Sequence, residues 1–246
     1  TVLATYHRLR QGLDPVAPRD DLGHSANFLW MLNGREPNEL EARVFDVAMI
    51  LHAEHEMNAS TFSALVTAST LSDMYSATAS AIGTLKGPLH GGANEAVYKT
   101  VEAIAVEANI ATHVEGMLGR GERVMGIGHR VYKTTDPRAN ILEKLGHQLA
   151  ETSPDRKYFD LSLKLRDYLA RKLEGKPLYP NVDFFSASVY KMLGIPSDLY
   201  TPIFAMSRIT GWTAHMLEQY ADNRLVRPNA LYEGADNREY VPVEKR

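Results

Sequence analysis

Three separated clusters carry the side chains that could do chemistry in this chain. They are GPLHGG at 87–92 with His90, GIGHRVYKTTDPR at 126–138 with His129 and Arg138, and NVDF at 181–184 with Asp183. Each lies in or beside a break in a helical pattern. Two imidazoles, one carboxylate and a guanidinium can move a proton next to a carbonyl while gripping an anion. The chain therefore reads as an enzyme.

Every one of these residues also has an ordinary reading. Gly87, Pro88, Gly91 and Gly92 around His90 are common turn residues. The same glycines would let a ligand approach the backbone, and a helix N-terminus beyond them would keep His90 neutral and able to donate a hydrogen bond. The Gly126-Ile127-Gly128-His129 stretch looks like half of a dinucleotide fingerprint, but it lacks the third glycine and follows no strand, so a Rossmann reading fails. A glycine-rich loop can still present backbone amides and carbonyls to a flat base or a phosphate. Arg138 is either a surface charge or a bidentate clamp for a carboxylate in the first turn of a helix capped by Asp136. Asp183 just ahead of a helix is either an N-cap or a base whose pKa is raised by the neighbouring Phe184 and Phe185.

His52 and His55 are three apart and would share a helix face if the helix continues through them. Metal binding with Glu54 or Glu56 competes there with core packing or a substrate hydrogen bond, although the order is not that of the HExxH zinc signature. Arg208 lies among Phe204, Met206, Ile209 and Trp212, where it must find an anion or an edge. Arg227, before Pro228 in the tail, could be reached by a neighbouring subunit.

Composition narrows the class. The 246 residues suffice for one large domain or two modest ones, with 44% hydrophobic residues and a formal net charge of −3. Nothing in that balance favours nucleic acid or an anionic membrane. Cysteine is absent, which removes disulfides, cysteine-based metal sites and thiol nucleophiles and fits a reducing compartment, so the cytoplasm is the expected location. No stretch approaches the roughly 18 to 20 apolar residues of a membrane span, and the opening residues are interrupted too often to be a signal peptide.

The elements that must position these residues have the helical period nearly throughout. Val2, Leu3, Tyr6 and Leu9 form a stripe closed by Gly12, and this pattern predicts that the chain begins inside a helix. Leu40, Val44, Val47, Ala48 and Leu51 form another, and Val97, Val101, Ile104, Ala105 and Ala108 a third. Residues 59–85, rich in Ala, Ser and Thr, predict two closely packed helices, with Ser72 and Asp73 able to cap the second. Asp136 and Pro137 open a helix carrying Ile141, Leu142, Leu145 and Leu149. Leu161, Leu165, Tyr168 and Leu169 form a stripe that stops at Gly175, a helix from Asp183 to Leu193 ends at Gly194, and a long one runs from Pro202 to Tyr220. The tail from Asn223 reads as an irregular arm lying on another surface. No alternating strand or hairpin signal occurs, so the class is all-α.

The ordered run LHAEHEMNAS, GTLKGPLHGGANEAV, GIGHRVYKTTDPR, YPNVDFFSASVY, TPIFAMSRITGW and DNRLVRPNALYEG resembles the citrate synthase family, including the 2-methylcitrate synthases, from about residue 5 to the end. The resemblance implies a two-domain helical fold, with large-domain pieces at 1–91 and 189–246 around a small domain at 92–188. It implies an acyltransferase that condenses acetyl-CoA with oxaloacetate through citryl-CoA, with no metal and no cofactor beyond that co-substrate. The alternatives are a 2-methylcitrate synthase using propionyl-CoA, or an inactive or split subunit of the same fold.

In that family pattern His90 hydrogen-bonds the thioester oxygen, Asp183 removes the methyl proton and His129 polarises the ketone. His55, Arg138 and Arg208 hold oxaloacetate, and Arg227 acts across the interface of a homodimer. Met125, Gly126, Ile127, Gly128 and Lys133 contact CoA. Family members usually carry more of the large domain before the first helix seen here. The chain is therefore expected to be a C-terminal portion, with uncovered apolar faces and a separate N-terminal segment among its partners.

Overall fold

The structure is a computed structural model that describes residues 1–129, 131–132 and 134–246. Its first helix, α1 (Val2–Arg10), follows Thr1 without a side-chain cap. Helix α2 (His24–Asn33) packs on α3 (Glu39–Ala53), whose start is fixed by a reciprocal capping box between Asn38 and Glu41. The stripe expected on α3 is rotated: Val44, Phe45, Ala48 and His52 are buried, whereas Val47 and Leu51 are only partly so. Phe45 stacks on Phe28 of α2 at 5.2 Å and meets Tyr190 edge-on at 6.1 Å, and these rings set which side of α3 turns inward.

Helices α4 (Ala59–Ser69) and α5 (Met74–Leu85) form the close pair that their small residues predict. Asn58 and Asp73 cap them, and Ala64, Ala68, Ala77 and Ala81 are fully buried between and beneath them. Helix α6 (Ala93–Ile104) buries Val97, Val101 and Ile104 but stops there, because Ala105 takes a φ of 59°. A 3-10 turn at Glu107–Asn109 follows, and the Asn109 side chain donates to the Ile104 carbonyl. The expected stripe through Ala108 is thus two elements, the second being α7 (Ile110–Gly119).

Helix α8 (Pro137–Ala150) begins at the Asp136 cap as its sequence requires. Helix α9 (Arg156–Lys172) precedes α10 (Val182–Met192), which lies against α6, α8 and α9 and is buried nearly all round. Phe184, Phe185, Val189 and Tyr190 are at most 1% exposed, so α10 is the axis of this part of the molecule. Helix α11 (Tyr200–Ala221) crosses α3, α4 and α5. One buried apolar cluster runs through α1–α3 and α6–α10, and a second joins α4, α5 and α11.

Among the described residues there is no strand, only an isolated antiparallel bridge between Ile127 and Pro180, and the class is all-α. No helix is long and apolar enough to cross a membrane. The tail after Ala221 is irregular until a last 3-10 turn at Val243–Lys245. Its start is pinned to the end of α4, where Asn223 donates to the Ser69 carbonyl and the Ser69 hydroxyl accepts from the Val226 amide. Val2, Tyr6, Leu9, Phe62 and Tyr75 are exposed apolar side chains, each at least 50% accessible.

Candidate active site

The site is held by helix ends. His90 sits in the turn between α5 and α6, where the backbone N–H of Ser60, at the start of α4, donates to its Nε2 at 3.2 Å. The Ser60 hydroxyl is 2.8 Å from the same nitrogen, and the buried Trp212 of α11 donates its indole N–H to that hydroxyl at 3.1 Å. A backbone amide can only donate, so Nε2 is an acceptor and the neutral ring carries its proton on Nδ1. Burial, and then the charge of Arg208, lower the pKa of His90 and keep it neutral.

His129 is arranged in the opposite sense. Its Nδ1 accepts from the amides of Val131 at 3.1 Å and Tyr132 at 3.2 Å, which leaves the proton on Nε2. The two imidazoles thus present different nitrogens as donors, each selected by the backbone. His55 stands edge-on to His129 at 5.0 Å, and its Nε2 lies 3.2 Å from the hydroxyl of Tyr132. Burial, then Arg138 and Arg208, push the His55 pKa down as well.

Asp183 occupies the first turn of α10. It does not cap the helix; Asn181 does, accepting from the Asp183 amide at 3.0 Å. The carboxyl is therefore free of the capping duty that was its ordinary reading. Burial drives its pKa up to about 6, with Arg138 and Arg208 pulling it down and Asp136 pushing it up. Such a carboxylate is still mostly ionised at neutral pH and is a stronger base than an exposed one.

Arg138 and Arg208 bring positive charge to the same place. Arg138 is held by Asp136 through Nε at 3.0 Å and Nη2 at 2.8 Å. Arg208 is 2% exposed, donates from Nε to the His52 carbonyl at 2.7 Å, and forms no ion pair among the described residues. Burial and the nearby Arg138 lower its pKa to about 10. Arg208 is the common electrostatic neighbour of His90, His55, Asp183 and Arg138. A guanidinium destabilised by a neighbouring cation in this way has the chemistry to receive a small polyanion.

The loop at 125–128 is bound to the segment that leads into α10. The Gly128 amide donates to the Tyr179 carbonyl at 2.7 Å, the Asn181 amide donates to the Gly126 carbonyl at 2.9 Å, and the Asn181 side chain donates to the Gly128 carbonyl at 2.9 Å. Three backbone groups of the loop are therefore engaged already. Those of Ile127, at the centre of the bridge, point away from Pro180. Met125 and Ile127 are partly buried against the core. Gly126 is required twice over, by its φ of 80° and by the space, since a Cβ there would stand 2.6 Å from Val97 Cγ2 and 3.1 Å from Phe184 Cα.

His90, His55, Asp183, Arg138 and Arg208 are thus electrostatically connected, and His129 joins them through its ring contact with His55. Arg227 is exposed in the tail and makes no hydrogen bond to any of them among the described residues. Lys133 lies outside the described residues. His52 and His55 do not share a helix face, because α3 ends at Ala53 and Glu54 is extended at φ −148°. His52 is fully buried, donates from Nδ1 to the Ala48 carbonyl at 2.7 Å, and burial lowers its pKa to about 4.

Ser60, Tyr132 and Asn181 escaped the sequence reading, and Asp136 was read only as a cap. One signal did exist: a tryptophan on an apolar helix needs an acceptor for its N–H, and for Trp212 that acceptor is Ser60. The pairing of Ser60 with His90 spans 30 residues, and no local spacing encodes it.

The family model described as "Citrate synthase, C-terminal domain" matches residues 1–229. A citrate synthase of Haloferax volcanii is 54% identical over 247 aligned positions, covering 100% of this chain and 64% of that protein. A 2-methylcitrate synthase of Shewanella oneidensis is 45% identical, covering 95% of this chain and 61% of that protein. A solved citrate synthase of Thermoplasma acidophilum, described as a ternary complex with carboxymethyl coenzyme A and oxaloacetate, superposes with a TM-score of 0.92 at 38% identity. It covers 100% of this chain, which spans 66% of that structure. The chain thus spans just under two thirds of the length of the relatives it matches.

Proposed function

The chain belongs to the citrate synthase family, and on that premise we propose that the protein condenses acetyl-CoA with oxaloacetate and hydrolyses the resulting citryl-CoA to citrate and CoA. The observation that carries the reading is the pair of imidazoles fixed by backbone amides as donors from opposite nitrogens, His90 from Nδ1 and His129 from Nε2.

In this reading Asp183 takes a proton from the methyl group of the thioester while His90 Nδ1–H donates to the thioester oxygen. A carboxylate is a weak base for a carbon acid, so the developing enolate must be stabilised as the proton leaves. The nucleophilic carbon then attacks the ketone carbon of oxaloacetate. His129 Nε2–H polarises the ketone oxygen and gives it its proton as the carbon–carbon bond forms, leaving the hydroxyl of citryl-CoA, and the proton held by Asp183 then restores the balance by returning through solvent to His129. Water then cleaves the thioester and releases the thiol of CoA.

Arg138, Arg208 and His55 are assigned to the carboxylates of oxaloacetate, and Arg227 is supplied by a second copy of the chain. The loop Met125–Gly128 and Lys133 are assigned to CoA, whose flat base would meet the outward groups of Ile127. Acetyl-CoA is a co-substrate, and the reaction so written needs no metal. The division into 1–91, 92–188 and 189–246 places the site between two domains that close on the substrate.

The test is thiol release from acetyl-CoA and from propionyl-CoA in the presence of oxaloacetate, for the wild type and for Asp183→Asn. Turnover is expected to fall by about 10³-fold in the variant, with oxaloacetate binding retained by calorimetry. A preference for propionyl-CoA would move the protein to the 2-methylcitrate branch represented by the Shewanella relative. Normal turnover in Asp183→Asn overturns the base assignment.

A further inference from the structure

Asp136 does more than a helix cap requires. Capping α8 uses one side-chain oxygen, Oδ1, which accepts from the Arg138 amide at 3.0 Å. The same Oδ1 also accepts from Arg138 Nε at 3.0 Å, while Oδ2 accepts from Arg138 Nη2 at 2.8 Å and from the Val182 amide at 3.1 Å. A carboxylate that is 1% exposed thus receives four hydrogens from the starts of two helices, α8 and α10. Its grip on Arg138 is bidentate and fixes the plane of the guanidinium, leaving the Nη1 edge, 3.5 Å from the Leu51 carbonyl, to turn elsewhere.

We propose that Asp136 is a positioning residue for the condensation. It orients Arg138 so that the remaining edge of the guanidinium meets a substrate carboxylate, and through Val182 it fastens that clamp to the helix bearing Asp183. The inference rests on the function proposed above.

A second consequence is electrostatic. The charged and titratable groups facing Asp183 are Asp136 and Arg138 from α8, Arg208 from α11 and Tyr190 on its own helix. Asp136 is the one among them whose negative charge opposes ionisation of Asp183. Its own carboxyl is pushed up by burial, but the bonds and charge of Arg138 more than offset this and hold it below the ordinary aspartate value.

The experiment is a double-mutant cycle on the full chain. Asp136→Asn keeps a strong N-cap but loses the charge. It is expected to raise the oxaloacetate KM by about 10- to 100-fold and to move the acidic limb of the kcat profile to lower pH. In an Arg138→Ala background the same substitution should change KM by less than about 2-fold, because Asp136 acts through Arg138. An equal increase in both backgrounds, or an unchanged KM in a folded Asp136→Asn, overturns the proposal.

Arg138→Lys keeps Asp136 in place and tests the same point if the Asn variant does not fold. Charge without a fixed plane should bind oxaloacetate nearly as poorly as Arg138→Ala, and affinity within about 3-fold of wild type would sink the idea. If the wild type neither binds oxaloacetate nor releases thiol, the functional reading itself fails. An active wild type with an additive cycle removes only the role given to Asp136.

Discussion

A neutral imidazole has two nitrogens and one proton, and in this protein the backbone decides which nitrogen keeps it. The amide of Ser60 selects Nδ1–H for His90, and those of Val131 and Tyr132 select Nε2–H for His129. Asp183 carries the complementary demand. With its folded pKa near 6 against an ordinary 3.8, the fold favours the protonated carboxyl. The stability this contributes is complete below about pH 4 and is lost as pH rises through 6. Asp183→Asn should therefore melt higher than wild type at pH 8, by on the order of 2 kcal/mol, with the gap closing by pH 4. Melting curves across that range read it, and an equal gap at both ends would show that desolvation is not the cause. The wild-type rate should fall on the acid side of pH 6, since the base must be ionised. The identities of His90, His129, Asp183, Arg138 and Arg208 were legible in sequence because helix breaks and glycines mark them. Their partners were not, since Ser60 reaches His90 across 30 residues of chain and Trp212 in turn reaches Ser60 from far along the sequence.

Helix starts were more legible than helix ends. Asp73 and Asp136 are caps by residue type, and both serve as caps. The stop of α6 at Ala105 was not readable, because alanine at positive φ gives no local warning and the apolar period continues past it. Asp183 reads as the cap of α10 rather than as part of its first turn for a related reason: Asn181 and Asp183 are both capping types, and only the extended φ of −103° and ψ of −178° at Asn181 decides between them. The loop before α8 offers a test at this scale. Gly126→Ala meets both a positive φ and a clash with Val97 and Phe184, and should cost about 2–4 kcal/mol. Gly12→Ala, at φ 70° with nothing within 4 Å, should cost about 1–2 kcal/mol. Urea denaturation of the pair separates the terms, and equal losses would mean that packing against α10 is not what selects glycine at 126.

At the scale of the whole molecule, the class and the order of elements followed from periodicity, whereas the surfaces did not. Phe62 and Tyr75 lie exposed on the α4–α5 pair, Val2, Tyr6 and Leu9 on α1, and Arg227 in the tail. If Arg227 completes the site of a second copy, subunits of Asp183→Asn and Arg227→Ala, each nearly inactive alone, should regain activity on mixing. Random reassortment makes half the dimers mixed, each with one intact site, so about a quarter of wild-type turnover is expected. No recovery after verified subunit exchange would place Arg227 outside the neighbouring site.

The clasp at 126–128 and 179–181 has a mechanical consequence. Three bonds fasten the glycine loop to the approach of α10, and a fourth, from Asp136 to Val182, fastens α8 to its first turn. Loop, clamp and base are thus fastened to one another, so a closure of the proposed domains would carry all three together. Such a closure would deliver the base and the clamp to their work in a single stroke, with no slack between them.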